Sequence, residues 1–302
     1  MKKKLSIIIP VYNSTKSLNE LISKITKIDL DNYEIIFVDD SSKNLETRKI
    51  LSNLAKKYKK IIKVILLSKN LGRTNAILTG LKYATGISNI IMDDDLQHDP
   101  KYINNFLRLK HHDVVFANYS RNKNLLNNLF SYLKYLLDRY TFENNVRISS
   151  FFMIKSYIKK IIINANSINA YLPGLINEST DDIISFDIKL NKRKYGSSNY
   201  NFYSKIKIIQ NIFLNYSNLP FKILFLSGFV FLLISLLIGL KIIYNYIYFD
   251  PLPGWTSTLG LIVFFGGINF IYSSFIGYVI LKKINDNKNN NLSYIKKIIH
   301  YK

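Results

Sequence analysis

SNIIMDDDLQHDP, residues 88–100, decides the fold. Its apolar run Ile90-Ile91-Met92 stops abruptly at Asp93-Asp94-Asp95, and Pro100 closes the stretch. β-Branched residues bounded by polar ones and a proline predict a short buried strand whose carboxyl end feeds a loop. Side chains alternate along a strand, so Asp93 and Asp95 are expected on one face and Asp94 on the other. Two carboxylates converging at a strand end make an all-oxygen site for Mg²⁺ or Mn²⁺. Such an ion keeps waters and completes its shell with substrate phosphate oxygens. A solvated acidic turn is the bland alternative, and the neighbouring segments decide between the two.

Outward from this stretch, 5–11, 33–38 and 61–67 are short runs rich in Ile, Val and Phe. The segments 15–27, 45–59 and 73–85 between them have helical periodicity with one polar side. Strands alternating with helices predict βαβ units, hence an α/β fold with a mostly parallel central sheet. Ligands of such sheets bind beyond the carboxyl ends of the strands. Polar clusters fall at those ends: Tyr12-Asn13-Ser14, Asp39-Asp40-Ser41-Ser42, Asn70-Leu71-Gly72-Arg73 and Asp93 to Gln97. Asp39 or Asp40 can accept hydrogen bonds from a base or ribose, or all four residues of that cluster simply cap the next helix. Gly72 allows close backbone approach and Arg73 can meet a phosphate, unless Gly72 is a turn glycine and no more. Each signal is weak alone; their shared edge predicts a nucleotide site.

After residue 100 a helix is expected over 101–110 and a strand over 113–117, leading to Arg121. His111 and His112 read as solvated loop residues. Residues 125–140 form an amphipathic pattern that suits core packing or a bilayer surface. Strand character resumes over 147–157, and KRKYGSSNY (192–200) is a basic loop.

The chain has 302 residues and a net charge of +22, so acidic partners are expected: nucleic acid, anionic lipid or phosphorylated substrates. The absence of Cys excludes disulfides, a thiolate nucleophile and a Cys-based zinc site. MKKKLSIIIPVYN has too short an apolar run for a targeting segment and reads as a first strand, which implies a cytoplasmic N-terminus.

Residues 221–243 and 257–281 are each long and apolar enough to span a bilayer. Gly260, Gly266, Gly267 and Gly277 suit close helix packing. The connecting 244–256 holds Tyr244, Tyr246, Tyr248 and Trp255 and no Lys or Arg, whereas Lys205, Lys207, Lys222, Lys282 and Lys283 flank the spans. Lysine asymmetry of this kind places both termini in the cytoplasm. The expected organisation is a catalytic domain over 1–200, a juxtamembrane segment over 201–220, the two spans, and a basic, weakly ordered tail over 282–302.

IIIPVYN (7–13), VDDSS (38–42), NLGRTNA (70–76), DDDLQHDP (93–100), SRN (120–122), SSF (149–151), RKYGSSNY (193–200) and two C-terminal spans follow one another in order. This arrangement resembles a family 2 glycosyltransferase of the GT-A fold, of the polyprenyl-phosphate type related to dolichol-phosphate mannose synthase. The resemblance implies that Pro10, Tyr12 and Asp39 surround base and ribose, with Asp40, Gly72, Arg73 and Asp94 completing the nucleotide side. It implies that Asp93, Asp95 and Gln97 hold the Mg²⁺ or Mn²⁺ on the donor diphosphate. Arg121 and Arg193 match family arginines near the donor and acceptor phosphates and stand with Asp95 as the catalytic group. Arg147, Ser150, Arg193, Ser198 and Tyr200 form the acceptor-phosphate side. Its implied partners are a nucleotide-sugar donor, a polyprenyl phosphate and the membrane, and similar proteins form homo-oligomers through their membrane segments. Ser14 stands where relatives often carry Glu, and Phe152 where many carry Arg. A catalytically inactive nucleotide-sugar- or lipid-binding scaffold, or a different acceptor, is the alternative. A processive synthase is disfavoured because Trp255, the single tryptophan, lies in the short turn. The basic residues are spread without a nucleic-acid motif, so no nucleic-acid partner is expected.

Overall fold

The structure, a computed structural model, describes residues 3–119, 149–164, 171–191, 194–195, 219–249, 254–286 and 295–301, together with Leu136 and Arg139. Its strands are β1 (Leu5–Val11), β2 (Tyr33–Asp39), β3 (Ile62–Leu67), β4 (Ser88–Ile91), β5 (Val114–Asn118), β6 (Phe152–Lys155), β7 (Ile183–Asp187) and β8 (Ile295–His300). They form one sheet in the order β7-β5-β6-β4-β1-β2-β3-β8. β3, β2, β1 and β4 run parallel, as the alternation of strands and helices predicts. β6 enters antiparallel between β4 and β5, and β7 is parallel to β5.

Both faces of the central strands are buried, which explains their continuous apolar runs. Ile7, Ile9 and Phe37 face one cluster with Leu18, Leu21, Ile22 and Ile25 of α1 (Lys16–Ile25) and Leu51 and Leu54 of α2 (Leu45–Lys57). Ile8, Ile36 and Val38 face the other with Ala76, Ile77 and Leu81 of α3 (Arg73–Tyr83). Gly80 lets α3 lie directly on the sheet, because a Cβ there would sit 2.5 Å from Ile8 Cγ2. α4 (Ile103–Arg108), after a 3₁₀ turn at Pro100–Tyr102, packs with α1 and α2, while α5 (Ser156–Asn164) and α6 (Leu172–Asn177) join α3. His112 is no free loop residue: its Nδ1 lies 2.6 Å from Asp182 Oδ1.

The tail departs from expectation. Ile295–His300 pairs antiparallel with β3, and Ile299 and Tyr301 pack against the α1/α2-side cluster. Composition favoured a solvated tail, but composition carries no information about the open β3 edge that this strand completes.

A second unit spans 203–288. α7 (Leu219–Tyr248) and α8 (Trp255–Asp286) are longer than the expected spans, so the expected turn over 244–256 shrinks to a few residues. Leu226, Leu237 and Phe265 are each more than 60% exposed, so these helices are not the core of a soluble domain. Their apolar exposure all round fits lipid, and the chain is a membrane protein. The helices meet where Gly228 and Gly267 face each other: a Cβ on either would come within 3 Å of the other's carbonyl oxygen. Gly260 and Gly277 also lie at contacts, whereas Gly266, expected among them, faces open space. The amphipathic stretch 125–140, apart from Leu136 and Arg139, and nearly all of 201–220 lie outside the described residues.

Candidate active site

Four segments end at the carboxyl edge of the parallel strands, and each leaves the sheet through a left-handed residue. Asn13 (φ 56°) follows β1, Ser41 (φ 56°) follows β2, Gly72 (φ 84°) opens α3 and Leu96 (φ 62°) follows β4. A bulky residue such as Leu96 rarely adopts this conformation, and backbone strain gathers at functional edges. β4 itself ends at Ile91, so Asp93, Asp94 and Asp95 lie in a turn beyond the strand, where side chains do not alternate as they do on a pleat.

Hydrogen bonds knit these ends together. Asn13 N–H donates to Ser42 Oγ (2.8 Å), and Asn13 Oδ1 accepts from the N–H groups of Lys43 (2.8 Å) and Asn44 (3.2 Å). Asp39 is fully buried and accepts from Ser42 N–H (3.1 Å) and Arg48 Nε (3.2 Å). Capping of α2 falls to Asn44, which accepts from Glu46 N–H, and not to the 39–42 cluster. Asp40 accepts from Leu71 N–H (2.8 Å) and Gly72 N–H (2.9 Å), one on each oxygen. It therefore holds the loop that opens α3. Burial raises the Asp40 pKa above the ordinary carboxyl range, and those two N–H groups only partly offset it.

Arg73 differs most from expectation. In place of an open cation awaiting phosphate, its Nε donates to Asp93 Oδ1 at 2.6 Å and its Nη2 to the Ser150 carbonyl at 3.0 Å. Burial pushes the Asp93 pKa up, but the Arg73 charge, then His98, and hydrogen bonds from Arg73 and Ser150 outweigh it and hold it low. Asp94 is the opposite case. Burial pushes its pKa to about 7, opposed by the Ser14 hydroxyl and reinforced by Asp93 and Asp95, and its buried Oδ2 has no hydrogen-bond partner. Asp95 Oδ1 accepts from Gln97 N–H (3.1 Å).

These donors are oxygens throughout, which suits a hard divalent ion. Among the described residues no three His, Cys, Asp or Glu groups converge on a common point. Pro10 lies in β1 beyond the last residue paired with β4, where its missing N–H costs no bond on that side, and half-buried Tyr12 follows. Pro10, Tyr12, Asp39, Asp40, Gly72, Arg73, Asp93 to Asp95, Gln97 and Ser150 thus gather along one edge. Arg121, Arg147, Arg193, Ser198 and Tyr200 lie outside the described residues.

Two contributors escape sequence reasoning. Arg48 looks like an ordinary polar helix residue until its guanidinium meets buried Asp39. His98 is 3% exposed, packs 5.0 Å from Phe151 and places Nε2 3.4 Å from Ser150 Oγ. DDDLQHDP displays His98 plainly, but nothing in its spacing reveals a partner 52 residues further on.

The sequence matches the glycosyl transferase family 2 model over residues 6–163. An undecaprenyl-phosphate 4-deoxy-4-formamido-L-arabinose transferase of Pectobacterium atrosepticum is 30% identical, covering 80% of this chain and 78% of that protein. A protein of the same name from Photorhabdus laumondii is 27% identical over 98% of this chain and 94% of its own. Among solved structures, glucosyl-3-phosphoglycerate synthase from Mycobacterium tuberculosis with Mn²⁺, UDP-glucose and phosphoglyceric acid shares the fold. Its TM-score is 0.51 at 13% identity, covering 70% of this chain and 79% of that one.

Proposed function

We propose that this chain, which belongs to glycosyltransferase family 2, moves a sugar from a nucleotide-sugar, most simply a UDP-sugar, to undecaprenyl phosphate with inversion at the anomeric carbon. One observation carries the reading: an all-oxygen acidic turn at the nucleotide edge of a GT-A sheet shares its chain with an apolar two-helix hairpin. Relatives named for undecaprenyl phosphate align over nearly the whole length, hairpin included.

The acceptor phosphate is already ionised at neutral pH, so the attacking oxygen needs no activated Ser or Cys. Its lone pair forms the new bond to the anomeric carbon as the bond to the nucleoside diphosphate breaks, and the departing diphosphate takes that electron pair. Asp95, with Asp93 and the Gln97 amide, would hold a divalent ion, Mg²⁺ or Mn²⁺, whose charge would steady the leaving group. The chain's own task is positioning and charge balance. Tyr12 and Asp39 with Pro10 shape the base and ribose end; Asp40 fixes the Gly72 turn against which the nucleotide lies. Arg121 and Arg193 serve as the phosphate-facing cations, with Arg147, Ser150, Ser198 and Tyr200 on the acceptor side.

The return of β8 to the sheet supports one topology. Two helices long and apolar enough to cross a bilayer lie between β7 and β8, and both strands belong to one sheet, which supports an even number of crossings with both termini on one side. The lysine asymmetry makes that side cytoplasmic.

The test incubates purified membranes with a panel of radiolabelled UDP- and GDP-sugars, undecaprenyl phosphate, and Mg²⁺, Mn²⁺ or EDTA. Label entering a mild-acid-labile lipid only when metal is present is the expected result, and it names the sugar. Transfer from no donor, with nucleotide binding intact, overturns the acceptor assignment.

A further inference from the structure

Three segments far apart in sequence meet at one guanidinium. Arg73 is the first residue of α3, placed by the Gly72 turn that Asp40 holds. Its Nε reaches Asp93 in the acidic turn and its Nη2 reaches the carbonyl of Ser150 in the loop entering β6. His98 makes a second tie between the same two loops, with Nε2 3.4 Å from Ser150 Oγ and its ring against Phe151.

We propose that Arg73 is a positioning residue that locks the donor-side acidic turn to the 149–151 loop, so that the two halves of the site hold one geometry. The proposal rests on the assignment of those loops to the donor and acceptor sides given above. A planar guanidinium presents N–H groups in fixed directions and can satisfy a carboxylate and a carbonyl at once. An ammonium is a compact point charge on a flexible stem and does not reproduce that fixed two-partner fork. Arg73 leaving Asp93 for a donor phosphate is the competing account, and it gives up the Nη2 bond to the Ser150 carbonyl as well. A lock of this kind suits a reaction whose acceleration comes from alignment, in which a misplacement of about 1 Å is costly.

The lock is tested on the full-length protein in detergent by hydrogen exchange at amides 149–153, with R73K and R73Q beside wild type. Without ligand, R73Q is expected to speed exchange there by about tenfold or more, the loss of a charge-assisted tie. In wild type, Mn²⁺ with UDP slows exchange at 93–97 and at 149–153 together; in R73K it slows only 93–97. Affinity of R73K for Mn²⁺–UDP stays within about threefold of wild type, since the positive charge beside Asp93 remains. Turnover with undecaprenyl phosphate falls and its KM rises, a split that a uniform loss of fold stability does not produce.

Unchanged exchange at 149–153 in both variants overturns the proposal. So does a tenfold or greater weakening of Mn²⁺–UDP binding in R73K with wild-type exchange at 149–153, which assigns Arg73 directly to phosphate. Wild-type protein that shows the coupled exchange but transfers no sugar to the lipid sinks the acceptor assignment instead and leaves the lock standing.

Discussion

Replacing Asp40 with Asn isolates what the strand-end carboxylate does. In the native site its two oxygens take the Leu71 and Gly72 N–H groups at 2.8 and 2.9 Å. Asn keeps one oxygen and presents an NH₂ to the other N–H, so one bond becomes a donor facing a donor. An unmade bond at a part-buried N–H costs about 1–3 kcal/mol. Global stability will fall by less than this, because burial already raises the Asp40 pKa and a neutral amide escapes the desolvation of an ion. The loss concentrates on the order of the Gly72 turn, which the nucleotide must find formed. About 2 kcal/mol spent on reordering it weakens donor binding roughly 30-fold, at 1.4 kcal/mol per decade. Titration calorimetry of D40N with UDP and Mn²⁺ reads the affinity, and thermal unfolding in detergent reads the fold. Wild-type affinity in D40N refutes the reasoning; so does equal damage to both quantities, which makes Asp40 a stability residue and nothing more.

Asp95→Asn should abolish metal-dependent transfer while leaving membrane insertion intact, measured by the lipid-transfer assay and membrane fractionation; retained turnover removes Asp95 from the metal site. Burial raises the Glu34 pKa, but hydrogen bonds from Thr85 and Ser6 and the Lys63 charge outweigh it and hold the carboxyl below its ordinary value. A depressed folded pKa contributes stability that is present above the unfolded value and lost as pH falls through the folded one. E34Q should therefore flatten the acid limb of a denaturation-midpoint profile below about pH 4.5, and a slope equal to wild type contradicts the network. Gly267→Val should destabilise the α7–α8 pair by about 1–3 kcal/mol through overpacking, whereas Gly266→Val is tolerated because nothing lies within 4 Å; comparable melting of the two in detergent contradicts the packing. Deleting 295–302 uncovers the β3 edge and the contacts of Ile299 and Tyr301; lower melting with concentration-dependent association is expected by light scattering, and a monodisperse, equally stable protein overturns the role of β8.

Local chemistry determined much of this protein. Short β-branched runs separated by amphipathic segments specify parallel βαβ units, because a strand buried on both faces must be apolar throughout and each crossover must shield one face. The two spans follow from apolar length alone, and the polar clusters read from the sequence do gather along one edge of the sheet. What tertiary structure decided is partnership. Asp40 and Arg73 look like ligand-facing groups in sequence, yet each is committed to a segment more than 19 residues distant. The three aspartates look like strand residues, yet β4 stops at Ile91 and they lie in the turn beyond it. β8 was hidden for the same reason: a six-residue run with two lysines inside it has no stable state until β3 offers an edge. Hydrophobic periodicity is written along the chain within one turn or one pleat, whereas ion pairs and edge pairing depend on which distant segment the completed sheet brings alongside.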